Sequence, residues 1–288
     1  MKKRQVVLAL GLIFGSGIGC AQAEDLAGSI QIKGSDTMVN LCQAWAEAFM
    51  SKHPDVTIAV TGGGSGTGFA ALIAGTCDLA ASSRKIKPKE LTLAQKKGAE
   101  PIEEIVALDG LAVVVHPSNP VKQLTLKQLA DVFTGRVLNW KELGGQDAGI
   151  VLLSREVNSG THVYFKEHVL DVDASQQEFA PQALLLSSSQ AIADEVASNT
   201  SAIGYYGMGY LNPKNATVAV AKSEGDPYVL PNEATVQSGE YPISRPLFLY
   251  ARTEQQGLIK AFLDFAKSPD GEQIVRSTDF VPVVHTNP

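Results

Sequence analysis

Three short segments combine small hydroxyl residues, glycine and the start of a helix. They are Gly34-Ser35-Asp36-Thr37, Gly62-Gly63-Gly64-Ser65-Gly66-Thr67-Gly68, and Ser154-Arg155-Glu156-Val157-Asn158-Ser159-Gly160-Thr161. The chemistry open to such segments is the holding of an oxyanion. A helix start presents N–H groups with no intrahelical partner and a partial positive charge. Glycine lets backbone come close to a small ligand. Each feature taken alone is also explained by ordinary capping and turn formation; three turns of one kind point to a ligand. Arg155 is the only full positive charge inside the three turns, and its planar fork can give an oxyanion two parallel hydrogen bonds. The competing expectation for Arg155 is a surface ion pair with Glu156 or Asp171.

Other chemistries find less support. No Lys follows the glycine run, so it is not a nucleotide P-loop. Ser82-Ser83 stand where a dinucleotide site would need an acid. His162 is near Ser159 in sequence, but no Gly-x-Ser-x-Gly elbow surrounds Ser159, and His162 is expected on a helix surface. The histidines at 53, 116, 162, 168 and 285 form no i,i+4 pair and have no Cys-x-x-Cys partner, so neither a metal nor a cofactor is expected. A binding protein is therefore preferred to an enzyme; a phosphatase, a serine hydrolase and an adhesion protein are the alternatives.

The elements that must position these turns read as alternating strands and helices. Ser29–Lys33, Val56–Val60 and Asp78–Ala81 read as strands, and Met38–Met50 and Phe69–Ala74 as helices. Leu41, Trp45, Ala48 and Phe49 are expected on one helical face. The alternation argues for parallel sheets covered by helices. Ile105–His116 is a long β-rich run interrupted by Asp109-Gly110, able to pass from one sheet to another. Leu247–Ala251 is a similar run near the other end. Two crossovers imply two lobes: residues 24–108 with 247–288, and residues 109–246.

Composition bounds the setting. Of 288 residues, 44% are hydrophobic and 19% charged, which suits a packed α/β protein. Residues 1–23 have the parts of an export signal: Lys2, Lys3 and Arg4, then the apolar stretch Val6–Phe14, then Ala21-Gln22-Ala23. Cleavage would leave 21 basic against 30 acidic residues, a net charge of −9, which opposes binding to nucleic acid or an anionic membrane. Any anion must then be held by local geometry. Lipid attachment at Cys20 is the less favoured route, because Gly17-Ile18-Gly19 lack the leucine usual three places before such a cysteine. Export would leave Cys42 and Cys77, an even count that suggests a disulfide; two unpaired buried thiols are the alternative.

The chain resembles the PstS-like periplasmic phosphate-binding proteins that feed ABC uptake transporters. The resemblance is carried by Lys33-Gly-Ser-Asp-Thr37, Thr61-Gly-Gly-Gly-Ser-Gly-Thr-Gly68, Asp78-Leu-Ala-Ala-Ser-Ser-Arg84, Ser154-Arg-Glu-Val-Asn-Ser-Gly-Thr161 and Ala202-Ile-Gly-Tyr205, in family order. It implies an α/β, two-lobed periplasmic-binding-protein fold of type II-like form. Each lobe is then a mostly parallel sheet flanked by helices, with a two-strand hinge. It implies inorganic phosphate as ligand and a membrane-embedded ABC permease as partner, with the protein a monomer in the periplasm. By position, Ser35, Asp36, Thr37 and Ser65 fall in the first-lobe turns, and Arg155, Ser159, Gly160 and Thr161 in the second-lobe cluster. Well-known members carry an Asp where this chain has Ser83. That Asp accepts the proton which phosphate retains and sulfate lacks. Either Asp36 takes that job here, or the site is less selective and accepts another tetrahedral oxyanion such as sulfate.

Overall fold

The computed structural model describes residues 26–171 and 176–283. The expected export signal at 1–23 and Cys20 lie outside the described residues. The described residues open with β1 (Gly28–Gly34), α1 (Val39–Lys52), β2 (Val56–Thr61), α2 (Ser65–Ala74), β3 (Leu79–Ser82) and α3 (Pro88–Lys96). A long strand, β4 (Ile102–Val115), follows. Then come β5 (Gln123–Thr125), α4 (Leu126–Phe133), β6 (Val151–Arg155), α5 (Gly160–Phe165), β7 (Leu184–Leu186), α6 (Ser189–Ser198) and β8 (Ala202–Gly207). The short elements β9 (Ala216–Thr217), β10 (Ala219–Ala221) and α7 (Glu233–Gln237) precede the return strand β11 (Ser244–Ala251), and α8 (Gly257–Ala266) and α9 (Pro269–Ser277) close the fold.

The main sheet has the order β2-β1-β3-β11-β4-β8-β6-β7. The pairs β1–β2, β1–β3, β6–β7 and β6–β8 are parallel, as the alternation of strands and helices requires. β11 runs antiparallel to both β3 and β4. β4 changes partner along its length: Ile102–Gly110 pairs with β11, and Leu111–Val115 pairs with β8. The change falls at Asp109-Gly110, the break that the sequence places in the run. This architecture is the two-lobed α/β fold expected.

Burial explains why the helices sit where they do. α1 buries Leu41, Cys42, Trp45, Ala46 and Phe49; Ala48, expected on that face, is only half-buried. Trp45 donates its indole N–H to the Gly271 carbonyl at 3.0 Å, fastening α9 to α1. A separate cluster of Phe69, Leu72, Cys77, Ala80, Phe248 and Tyr250 seats α2 on the sheet. Ile192 and Val196 of α6 pack against Tyr206 in β8. α4 starts on a reciprocal cap, in which Thr125 Oγ1 accepts the Gln128 N–H and Gln128 Oε1 accepts the Thr125 N–H. No helix among the described residues is long and apolar enough to cross a membrane.

The cysteines correct an expectation. Cys42 and Cys77 are both free and buried, and they lie in different hydrophobic clusters, Cys42 under α1 and Cys77 beside α2. Burial pushes the Cys42 thiol up to about 12 and the Cys77 thiol up to about 11.

Candidate functional site

The first-half turns all lie at strand C-termini, where open α/β sheets place ligands. β1 ends at Gly34, and the Ser35 N–H donates to the Ala81 carbonyl at 2.8 Å, which draws the turn onto β3. Gly64 stands just before α2 at φ +93°, a conformation other residues rarely adopt, so Ser65 becomes the first residue of the helix. α2 therefore begins four residues earlier than the Phe69 read from the sequence. Ser83 follows β3 directly. Ser35 Oγ donates to Ser83 Oγ at 3.0 Å, and the Ser83 N–H donates to Ser65 Oγ at 3.1 Å. Three turns far apart in sequence thus meet through their hydroxyls.

The second-half turn closes onto them. β6 ends at Arg155, and Ser159 caps α5 by accepting the N–H groups of Thr161 and His162. Thr161 Oγ1 lies 2.8 Å from Thr37 Oγ1. Gly160 is wedged against the first half: a Cβ there would sit 2.3 Å from Ser65 Oγ and 2.6 Å from Ser83 Oγ. Asn158 clasps the glycine run from outside, with Nδ2 donating to the Gly63 carbonyl at 2.9 Å and its own carbonyl accepting the Gly66 N–H at 3.0 Å. Ser65, Ser83 and Thr161 are 0% exposed, so the cluster is enclosed. A cavity of about 390 Å³ adjoins it, sharing Ser83 and Arg245 and lined further by Ile86, Tyr164 and Phe248.

Two ion pairs flank the hydroxyls, one half-buried and one fully buried. Arg155, 1% exposed, places Nη1 at 2.9 Å from Asp36 Oδ2 and at 2.9 Å from Ser189 Oγ. Its Nε and Nη2 donate to the carbonyls of Leu186 and Ser187. Arg155 is thus a buried bridge to the first turn; neither Glu156 nor Asp171 is its partner. Asp36 Oδ2 also accepts the N–H and the hydroxyl of Ser189, and its carbonyl accepts the Tyr210 hydroxyl. It does not cap the short turn at Asp36–Met38. The second pair joins β4 to β11. Arg245 Nε and Nη2 lie 2.9 and 2.7 Å from Asp109 Oδ2, and Asp109 Oδ1 accepts the Met208 N–H. Arg245 also reaches the Ser83 carbonyl at 3.2 Å and Thr161 Oγ1 at 3.0 Å.

Every hydroxyl read from the sequence as a site residue thus lies in or against one enclosed cluster, with Gly160 between the halves and the Asp36–Arg155 pair beside it. Sequence reasoning missed Asp109, Arg245, Ser189 and the clasp by Asn158. Two of these left a signal: an acid inside the apolar run of β4, and an arginine in the β-rich segment Ser244–Ala251. His162 is a correction. It is buried, its Nδ1 lies 3.2 Å from Ser154 Oγ, and its ring faces Phe179. It is neither a surface residue nor a base for Ser159. No group of His, Cys, Asp and Glu among the described residues could hold a metal ion.

Residues 21–270 match the family model of the PBP superfamily domain. The chain is 33% identical to the phosphate-binding protein PstS of Pseudomonas aeruginosa, over 98% of this chain and 96% of that protein. It is 35% identical to the phosphate-binding protein PstS of Bacillus subtilis, over 90% of this chain and 82% of that protein. A Clostridium perfringens structure described as a phosphate ABC transporter substrate-binding protein with bound phosphate is similar at TM-score 0.79 and 34% identity, covering 89% of this chain and all of that one. An ABC-type phosphate transport receptor from Vibrio cholerae is similar at TM-score 0.71 and 28% identity, covering 88% of this chain.

Proposed function

Because the chain belongs to the PBP superfamily, and within it to the PstS family of phosphate-binding proteins, we propose that it binds inorganic phosphate between its two lobes and delivers it to a membrane-embedded ABC transporter. The carrying observation is the convergence of Ser35, Thr37, Ser65, Ser83, Ser159 and Thr161 from both halves into one enclosed cluster. Hydroxyls supply donors there without excess charge, because Arg155 and Arg245 are each matched by a carboxylate. The lobes of this reading are residues 24–108 with 247–288, and 109–246, hinged where β4 and β11 cross. It is a receptor, with Ser159 engaged as a cap and His162 turned to Ser154. Export through residues 1–23 and action as a monomer belong to the same reading.

One observation favours a second reading, a less selective oxyanion receptor. Oδ2 of Asp36, the candidate proton acceptor, is already engaged by Ser189 and Arg155. Calorimetric titration of the purified protein with phosphate, and with sulfate in competition, tests both. Phosphate binding that excess sulfate does not displace supports the first reading. Equal displacement supports the second, and binding of neither anion overturns both.

A further inference from the structure

Arg245 sits on the return strand β11, directly opposite Asp109 of β4 in the antiparallel register. Both side chains are buried, at 2% and 0% exposure. Cross-strand ion pairing alone would be satisfied by the Nε and Nη2 contacts to Asp109. The guanidinium does more. Nη1 is anchored on the Ser83 carbonyl beside the first-half hydroxyls, and Nη2 also reaches Thr161 Oγ1 in the second half. Arg245 therefore touches the strands that join the two halves, one turn of the first half, and the start of α5.

We propose that Arg245, held by Asp109 and the Ser83 carbonyl, is a positioning residue of the anion site that fixes the direction of the Thr161 hydroxyl. This rests on the reading of the cluster as a phosphate site. A guanidinium can only donate, so Thr161 Oγ1 must accept from it. That hydroxyl then retains one proton and one lone pair. Thr37 Oγ1, at 2.8 Å, takes one of the two, and a single bonding direction is left for the anion. Without Arg245 only the Thr37 contact orients the hydroxyl, and its second alignment must be recovered on each binding event. Arg245 and Thr161 both lie within residues 109–246, and the bond from Arg245 to the Ser83 carbonyl ties this pair to the first half.

The test is a double-mutant cycle on the full mature chain, read by calorimetric titration with inorganic phosphate. Arg245→Gln and Thr161→Val are each expected to weaken phosphate binding by about tenfold or more. The double variant is expected within about threefold of Thr161→Val alone, because Arg245 acts through that hydroxyl. Losses that simply multiply would overturn the proposal, as would unchanged affinity in Arg245→Gln. Leaving Asp109 buried without its partner endangers folding, so Arg245→Lys provides a second arm. Lys keeps the charge but has no fork to reach Asp109 and Thr161 together. It is expected to restore thermal stability without restoring affinity; recovery of both would assign the pair a structural role and overturn the proposal. Wild-type protein that binds no phosphate would instead remove the reading of the site, and with it any role of Arg245 there.

Discussion

At the residue scale the decisive pair is Asp36 and Arg155, which meet from opposite halves of the molecule. Arg155→Ala removes one of the two cations beside the candidate site and leaves Asp36 without its ionic partner. The expected loss of phosphate affinity is about 2–5 kcal/mol. Phosphate titration checks it, and a loss below about fivefold, roughly 1 kcal/mol, removes Arg155 from the site. Asp36→Asn asks a different question. Asn keeps an oxygen for the Ser189 N–H but loses the charge and one acceptor. If Asp36 receives the phosphate proton, phosphate affinity falls by about 1.5–3 kcal/mol while sulfate gains in relative terms. Competition titrations on wild type and variant decide this, and an unchanged phosphate-to-sulfate ratio returns selectivity to Ser83 and its neighbours.

At the element scale, the start of α5 is what fits the halves together. Gly160 is the first helical residue, where alanine is favourable for the helix itself. Across the cleft, however, the added Cβ would meet Ser65 Oγ and Ser83 Oγ well inside contact distance. Gly160→Ala is therefore expected to leave thermal stability nearly unchanged and to weaken phosphate binding by about 1–3 kcal/mol through overpacking of the closed state. Thermal melts beside titrations separate the effects: equal losses in both would show that the glycine serves the fold and not closure. Gly160 was legible in the sequence as part of the third turn. The contact that makes it sensitive was not, because Ser65 and Ser83 lie far from it along the chain.

At the scale of the whole molecule, stability rests on two halves buried around shared strands, with no disulfide between Cys42 and Cys77. Both cysteines should resist a thiol reagent in the native protein, since burial raises both thiols. Both should react once the unreduced protein is denatured; the absence of reaction then would restore the disulfide. Acid is expected to weaken the fold partly through His162. Burial lowers its affinity for protons below the ordinary value of 6.5. The unfolded chain then binds more protons than the folded one as pH falls below that value, so stability drops with pH in that window. His162→Gln should flatten the slope of denaturation midpoint against pH there; an unchanged slope would assign acid sensitivity to other groups.

The sequence by itself determined the alternation of strands and helices, the long crossover strand broken at Asp109-Gly110, and the three anion-type turns. These are local properties, written in periodicity, caps and glycine placement. It also named the hydroxyls at 35, 37, 65, 83, 159 and 161 that the fold gathers into one cluster. Only the tertiary structure decided who faces whom. Arg155 found Asp36 and Ser189, Arg245 found Asp109 and Thr161, and the two cysteines fell into separate clusters. Each of those outcomes depends on which strand lies beside which and how closely the halves approach. Such pairings join residues tens to more than a hundred positions apart, and side-chain types along a chain carry no direct record of them.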